Sequence, residues 1–485
     1  MEYLPRLPVD QIMSYLEVPD LLACSLVNSG WRAVINDDRL WKKVCYKQSN
    51  KPTIEYVQAV TPRISPEFEE PESYHKRLEP LCHWRVVYMK LQHVNWNWRR
   101  AKHETYSVTD LAYNHFDLKI ENDLLVANVN DNQCEVWNIR GIPRKQETVI
   151  CALKNTRCKC MIHLCGDRLV IVQDTLLQIY HRVEKRFSCR YRRLFNQPES
   201  DSETIPGSLT VDEWYNETVK RRPTHLQAFN VSKYFIGLAL NGTFENASFH
   251  VWDSSVGVKL KEEVVKNISV DVKEPIHNVK FCPPKTEQGK ILVCVQHVRQ
   301  SGNFGDDIYF SVLYIYDLLT LTFRKLRVLR PHVPWIYYED NLILTIGYSQ
   351  AKLSIYNSTS GERLASKRYE GIINPESVQV HGNHIGFTTG GDLVVLSIKD
   401  FGLEFTTGIV KFSSNLFGFD FVFLDWDLVL ISRWDKVNKI EVWSVKEKCF
   451  LSTLHASGLM FPCNNSAKFF VWNEMITTIY MLQFW

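Results

Sequence analysis

The chain has 485 residues, enough to bury a large core or several domains. Charged residues are 23% and the formal net charge is +3, so no basic or acidic field marks a nucleic-acid or acidic-surface partner. Thirteen scattered cysteines without paired spacing, no basic-and-apolar leader and no apolar run of about 18 residues argue against a disulfide framework, secretion or a helical membrane span. The expectation is a cytoplasmic or nuclear protein with reduced thiols and no membrane contact.

Residues 4–45 read as three or four short helices. Val9, Ile12, Met13 and Leu16 fall at i, i+3, i+4 and i+7 and make one apolar stripe, and Pro8 suits the first turn. Pro19-Asp20 is expected to break that helix, with Asp20 as N-cap of a second one faced by Leu22, Leu26 and Val27. Gly30 reads as a break before Trp31 to Ile35, and Asp37 or Asp38 can cap a segment holding Leu40, Trp41, Val44 and Cys45. So short a segment cannot bury its own apolar surface and must dock on something else.

Leu4-Pro5, Ile12-Met13, Tyr15-Leu16, Asp20-Leu21-Leu22, Val27, Trp31-Arg32 and Leu40-Trp41 run without a gap in a pattern that resembles an F-box, the adaptor-binding motif of cullin–RING ubiquitin ligases. Leu7-Pro8 departs from it, because an acidic residue and a leucine are commoner there. The resemblance implies that Leu4, Pro5, Ile12, Leu16, Leu21, Leu22, Val27, Trp31, Leu40 and Trp41 meet a Skp-family adaptor and, through it, a cullin–RING assembly.

Residues 49–73 hold Pro52, Pro62, Pro66 and Pro71 and an acidic cluster at Glu67, Glu69, Glu70 and Glu72. That proline density predicts a loop. Trp84, Val87, Tyr88 and Leu91 then predict a helix from Leu81 to about His93, ending in Asn95-Trp96-Asn97-Trp98-Arg99-Arg100. Tyr88 with Asn97-Trp98-Arg99 resembles the linker helix of F-box/WD-repeat proteins.

After residue 104 the period becomes two, and an apolar hairpin recurs at spacings near 40 residues. Each unit closes on an aliphatic-aromatic-polar ending, marked by Trp137, Tyr180, Trp252, Tyr316, Tyr356, Trp443 and Tyr480, with Leu396 in the sixth place. The units resemble degenerate WD repeats: the opening Gly-His is absent, and Trp252-Asp253 alone keeps the Trp-Asp ending. Eight hairpins favour eight blades, with seven the competing count, and residues 105–110 are expected to supply the strand that closes the final blade.

The predicted architecture is therefore mainly β with a small α-helical N-terminal module. Residues 1–48 form the F-box, 49–100 the Pro-rich acidic loop and linker helix, and 101–485 a WD-repeat-type β-propeller. No catalytic set stands out. Cys158, Cys160, His163 and Cys165 alternate as strand residues rather than at zinc-ligand spacing, so no metal or cofactor is expected. Asp425, Asp427 and Asp435 read as blade-edge residues, and the run Arg182 to Arg193 as a solvated outer strand or a patch for an acidic partner. If the propeller rim reads an acidic or phosphorylated peptide, Arg433 and Lys159 are the candidate cations. The resemblance implies a non-catalytic substrate receptor of a Skp–cullin–F-box ligase that binds an unidentified protein substrate. The alternative is an F-box scaffold that joins the adaptor without promoting ubiquitination.

Overall fold

The structure is a computed structural model. It describes residues 11–13, 15–64, 81–110, 118–121, 123–130, 133–150, 160–173, 176–194, 225–231, 234–241, 243–253, 258–264, 272, 274–282, 289–299, 308–330, 335–339, 342–347, 352–368, 373, 377–381, 384–389, 392–397, 408–410, 419–433, 439–456, 458–463, 465–473 and 477–485. The chain divides into two compact units. One comprises Met1–Asp110, Ile139–Pro143 and Leu416–Trp485, the other Leu111–Asn138 and Arg144–Asn415.

Short helices open the first unit. Residues 11–13 are helical, followed by α1 (Val18–Cys24), α2 (Ser29–Ile35) and α3 (Asp38–Gln48). Pro19 and Asp20 do not separate two helices as expected. They lie in the first turn of α1, whose N-cap is Glu17; a proline needs no N–H partner there. Gly30 does not break the chain either, because α2 starts at Ser29, where the Asn28 side chain accepts the Trp31 N–H at 2.9 Å. Asp37 caps α3 as expected, taking the Arg39 N–H at 2.7 Å.

The reading of residues 49–73 as a loop is corrected in its first part. Helix α4 (Lys51–Ala59) occupies nine of these residues, with Pro52 in its first turn and Asn50 accepting the Thr53 N–H at 2.8 Å. Residues 65–73 lie outside the described set. The linker helix α5 (His83–Arg99) runs 17 residues, past the expected end at His93, so Asn95 to Arg99 are helical. It continues because Val87, Leu91, Val94 and Trp98 form one buried stripe at i, i+4, i+7 and i+11.

The rest of the described chain is β: eight four-stranded antiparallel sheets, seven of them with neighbouring strands in sequence order, the arrangement of β-propeller blades. Six sheets belong to the second unit and two to the first. The eighth sheet takes Leu459–Pro462, Lys468–Asn473 and Thr478–Gln483 from the end of the chain and Glu104–Asp110 from the start of the β region, as expected. Gly458 opens that sheet at φ +126°, where a Cβ would stand 1.7 Å from the Trp472 carbonyl oxygen, so only glycine fits.

Every marker residue lies on the third strand of its unit. Trp137, Tyr180, Trp252, Tyr356 and Trp443 each coincide with a register shift against the fourth strand. In these five blades the bulge adds an increment of twist at the marker position. In two blades the marker indole donates to a glutamate two residues earlier, Trp137 to Glu135 and Trp443 to Glu441, both at 3.0 Å. The second unit is held by apolar clusters between adjacent sheets, such as Leu344, Ile346, Leu353 and Ile355 with Ile385, Phe387 and Leu396.

Candidate functional site

The N-terminal helices sort their apolar residues into two sets. Met13, Leu21, Ile35 and Trp41 form a small core, and Leu16, Trp31 and Leu40 pack against it half-buried. Trp41 is 0% exposed; its indole N–H donates to the Ile35 carbonyl at 2.7 Å and its ring lies 5.0 Å from Tyr88 of α5. The expectation that Leu21 and Trp41 touch an adaptor is therefore corrected: both are consumed inside the module. Ile12, Leu22 and Val27 are exposed, as a docking face requires. Tyr15 and Leu26, each 79% exposed, join them and were not singled out as docking residues from sequence. Tyr15 lies in the F-box pattern and Leu26 on the apolar face of the second helix, but helical periodicity cannot say which of two apolar stripes faces inward. Leu4 and Pro5 lie outside the described residues.

Beneath this face the module is joined to the last two blades. A single apolar core includes Cys45, Ile54, Val57, Val87, Leu91 and Trp98 from the helices and Leu430, Val442, Phe469 and Phe484 from the strands and C-terminus. Sequence-marked Asn97-Trp98-Arg99 anchors here. Asn97 Nδ2 donates to the Phe484 carbonyl at 2.8 Å, and Trp98 Nε1 donates to the Ser466 carbonyl at 2.6 Å. The Trp98 ring stacks on Phe484 at 3.5 Å, and Arg99 reaches Glu447 at 2.9 Å.

Two buried charges, neither given this role from sequence, complete the joint. Asp425 is 4% exposed, and its Oδ2 accepts from Ser49 Oγ at 2.8 Å, Thr53 Oγ1 at 3.0 Å and the Asn50 N–H at 3.3 Å. Thr53 Oγ1 in turn accepts the Ser466 N–H at 2.8 Å. Lys468 is fully buried, donates to the Ile139 carbonyl and sits 4.1 Å from the Tyr56 ring centre. Trp485 Nε1 donates to the Val60 carbonyl at 2.7 Å. A buried carboxylate needs several donors to offset its lost hydration, and the start of α4 supplies them.

Two thiols of the module are buried. Burial pushes the Cys45 thiol up to about 12 and the Cys82 thiol up to about 11, which leaves both protonated at neutral pH. Among the described residues no group of histidine, cysteine, aspartate and glutamate has the arrangement of a metal site. Cys160 to Cys165 forms a strand, as its alternation predicts. Of the two candidate cations, Arg433 is the last residue of strand Leu428–Arg433, its backbone paired with Phe419, and Lys159 lies outside the described residues.

Residues 1–47 match the family described as F-box-like. The chain is 23% identical over 162 residues to "Probable E3 ubiquitin ligase complex SCF subunit sconB" of Arthroderma benhamiae, covering 29% of this chain and 23% of that protein. The protein of the same description from Trichophyton verrucosum matches to the same extent. The chain thus spans about a quarter of the length of these curated relatives. The WD40 domain of SCAP from fission yeast aligns at a TM-score of 0.48 and 9% identity, covering 79% of this chain and 95% of that one. Residues 1–47 thus carry an F-box-like domain, and the described sheets that follow have the strand order of propeller blades.

Proposed function

We propose that the protein is a substrate-recognition subunit of a Skp–cullin–F-box ubiquitin ligase: its F-box-like face docks on a Skp-family adaptor and its propeller binds the protein to be ubiquitinated. The observation that carries this reading is the sorting of the N-terminal module. Ile12, Tyr15, Leu22, Leu26 and Val27 are exposed, while the rest of the module is joined to the last two blades. Exposed apolar residues gathered on so small a module suit a protein–protein interface. The protein would be non-catalytic, supplying proximity between its substrate and the ubiquitin-charged enzyme. Cytoplasm or nucleus is the compartment that fits its free cysteines, among them buried Cys45, Cys134 and Cys294.

Co-purification of the full chain with a Skp-family adaptor tests the docking step. Tyr15→Ala with Leu26→Ala should cut adaptor recovery at least tenfold while the protein stays folded. Undiminished recovery would refute the docking face. Ubiquitination of proteins captured by the propeller, compared between the parent and this double variant, separates a ligase receptor from a scaffold that only joins the adaptor.

A further inference from the structure

Strand Arg186–Leu194 is the outermost of its sheet. One edge pairs with Leu176–Val183, and among the described residues no strand pairs with the other. A tight turn leads into it, with Glu184 and Lys185 both at positive φ. Lys185, Arg186 and Arg190 are exposed, and none has an acidic partner among the described residues. Arg182, half-buried, donates to Gln146 Oε1 of the neighbouring outer strand at 3.3 Å. Between residues 181 and 194 the sequence has six cations and the single acid Glu184. From the neighbouring sheet Glu147 reaches this strand, whereas Glu135 is paired with Lys145 of its own sheet.

Glu147 carries the argument. Its Oε1 accepts the Phe187 backbone N–H at 2.7 Å, so a carboxylate from outside the sheet already sits on a donor of the open edge. Beside that donor Val183 leaves an apolar side chain 49% exposed. An edge lined with cations repels neutral or basic strands, because pairing would bury unpaired charges. A strand carrying carboxylates removes that barrier and gains both ladder hydrogen bonds and cross-strand ion pairs. The chain's overall charge of +3 makes this a local feature rather than a general field for polyanions.

We propose that the open edge of Arg186–Leu194 binds an extended acidic peptide as an added strand, with its backbone on the edge and its carboxylates against Arg186 and Arg190. This proposal is independent of adaptor docking. The test is fluorescence anisotropy of a labelled eight-residue peptide of alternating Glu and Val titrated with the full chain. The parent should bind it, Arg186→Glu with Arg190→Glu should weaken binding at least tenfold, and Arg186→Gln with Arg190→Gln should weaken it less. A peptide of the same charge with two central prolines should also bind at least tenfold more weakly, because it cannot form the ladder. Circular dichroism checks folding; if charge reversal disturbs it, the Gln variant and the proline peptide decide. The proposal is overturned if the parent fails to bind, if the variants bind like the parent, if the proline peptide binds equally, or if a single-stranded oligonucleotide or phosphatidylserine vesicles bind more tightly than the peptide.

Discussion

The two compact units solve one packing problem in different ways. In the second unit sheet packs against sheet, each repeat presents its neighbour with the same geometry, and apolar side chains such as Leu344, Ile385 and Phe387 suffice. In the first unit helices pack on the final two sheets, and no repeat fixes the register between them. There the apolar core of Val87, Leu91, Trp98 and Phe484 is supplemented by directional bonds from Asp425, Asn97, Trp98, Lys468 and Trp485. Dispersion and apolar burial are non-directional, whereas a hydrogen bond to a buried group accepts one placement and penalises others. A junction made once needs that selectivity more than an interface made repeatedly.

Trp98→Ala tests the comparison most severely. Removing a fully buried indole from such a core typically costs about 3–5 kcal/mol, and the Ser466 carbonyl is orphaned as well. Hydrogen exchange should show α4 and α5 losing protection. Phe387→Ala in the second unit should cost a comparable amount with α4 and α5 still protected; loss there would show that the two units do not respond separately.

Asp425→Ala should cost about 2–3 kcal/mol, because it leaves Ser49, Thr53 and the Asn50 N–H without their acceptor. Asp425→Asn, which keeps one acceptor oxygen, should cost less. If calorimetry finds the alanine variant as stable as the parent, the polar joint is ornamental and the comparison fails.

Leu26→Ala and Trp41→Ala separate exposed from buried residues within the N-terminal module. Both should reduce adaptor capture. The first should change stability by less than about 0.5 kcal/mol and the second by about 3 kcal/mol or more. Equal thermal shifts would mean that the two apolar sets are not distinct.

The smallest effect is on pH dependence, and it samples both units with matched groups. Burial lowers the pKa of His103, whose ring bonds the Ala101 carbonyl at 2.9 Å, and of His297, whose ring bonds the Glu274 carbonyl at 2.9 Å. A histidine with a depressed folded-state pKa binds fewer protons folded than unfolded. Its contribution is intact above the unfolded value of about 6.5 and is lost as pH falls from there through the folded value. His103→Gln and His297→Gln should each flatten part of the stability loss between neutral pH and pH 5 in urea titrations. A variant with an unchanged profile would remove that histidine from the account.

Much was legible before any coordinates. Alternation of apolar residues, recurring aromatic endings and turn-rich punctuation marked out eight blades, and the spare strand at 105–110 foretold how the eighth is completed, because side-chain period two is a local property of strands. The continuous pattern from Leu4 to Trp41 identified the helical module, and Asn97-Trp98-Arg99 pointed to the linker. Tertiary structure alone decided the remainder. It turned Lys51–Ala59 into a helix, because the start of α4 lies against Asp425, almost four hundred positions away. It buried Leu21 and Trp41 and left Tyr15 and Leu26 in solvent. Period and propensity are set by neighbours along the chain, whereas the choice of inward face and the partner of a buried charge are set by residues that only folding brings together.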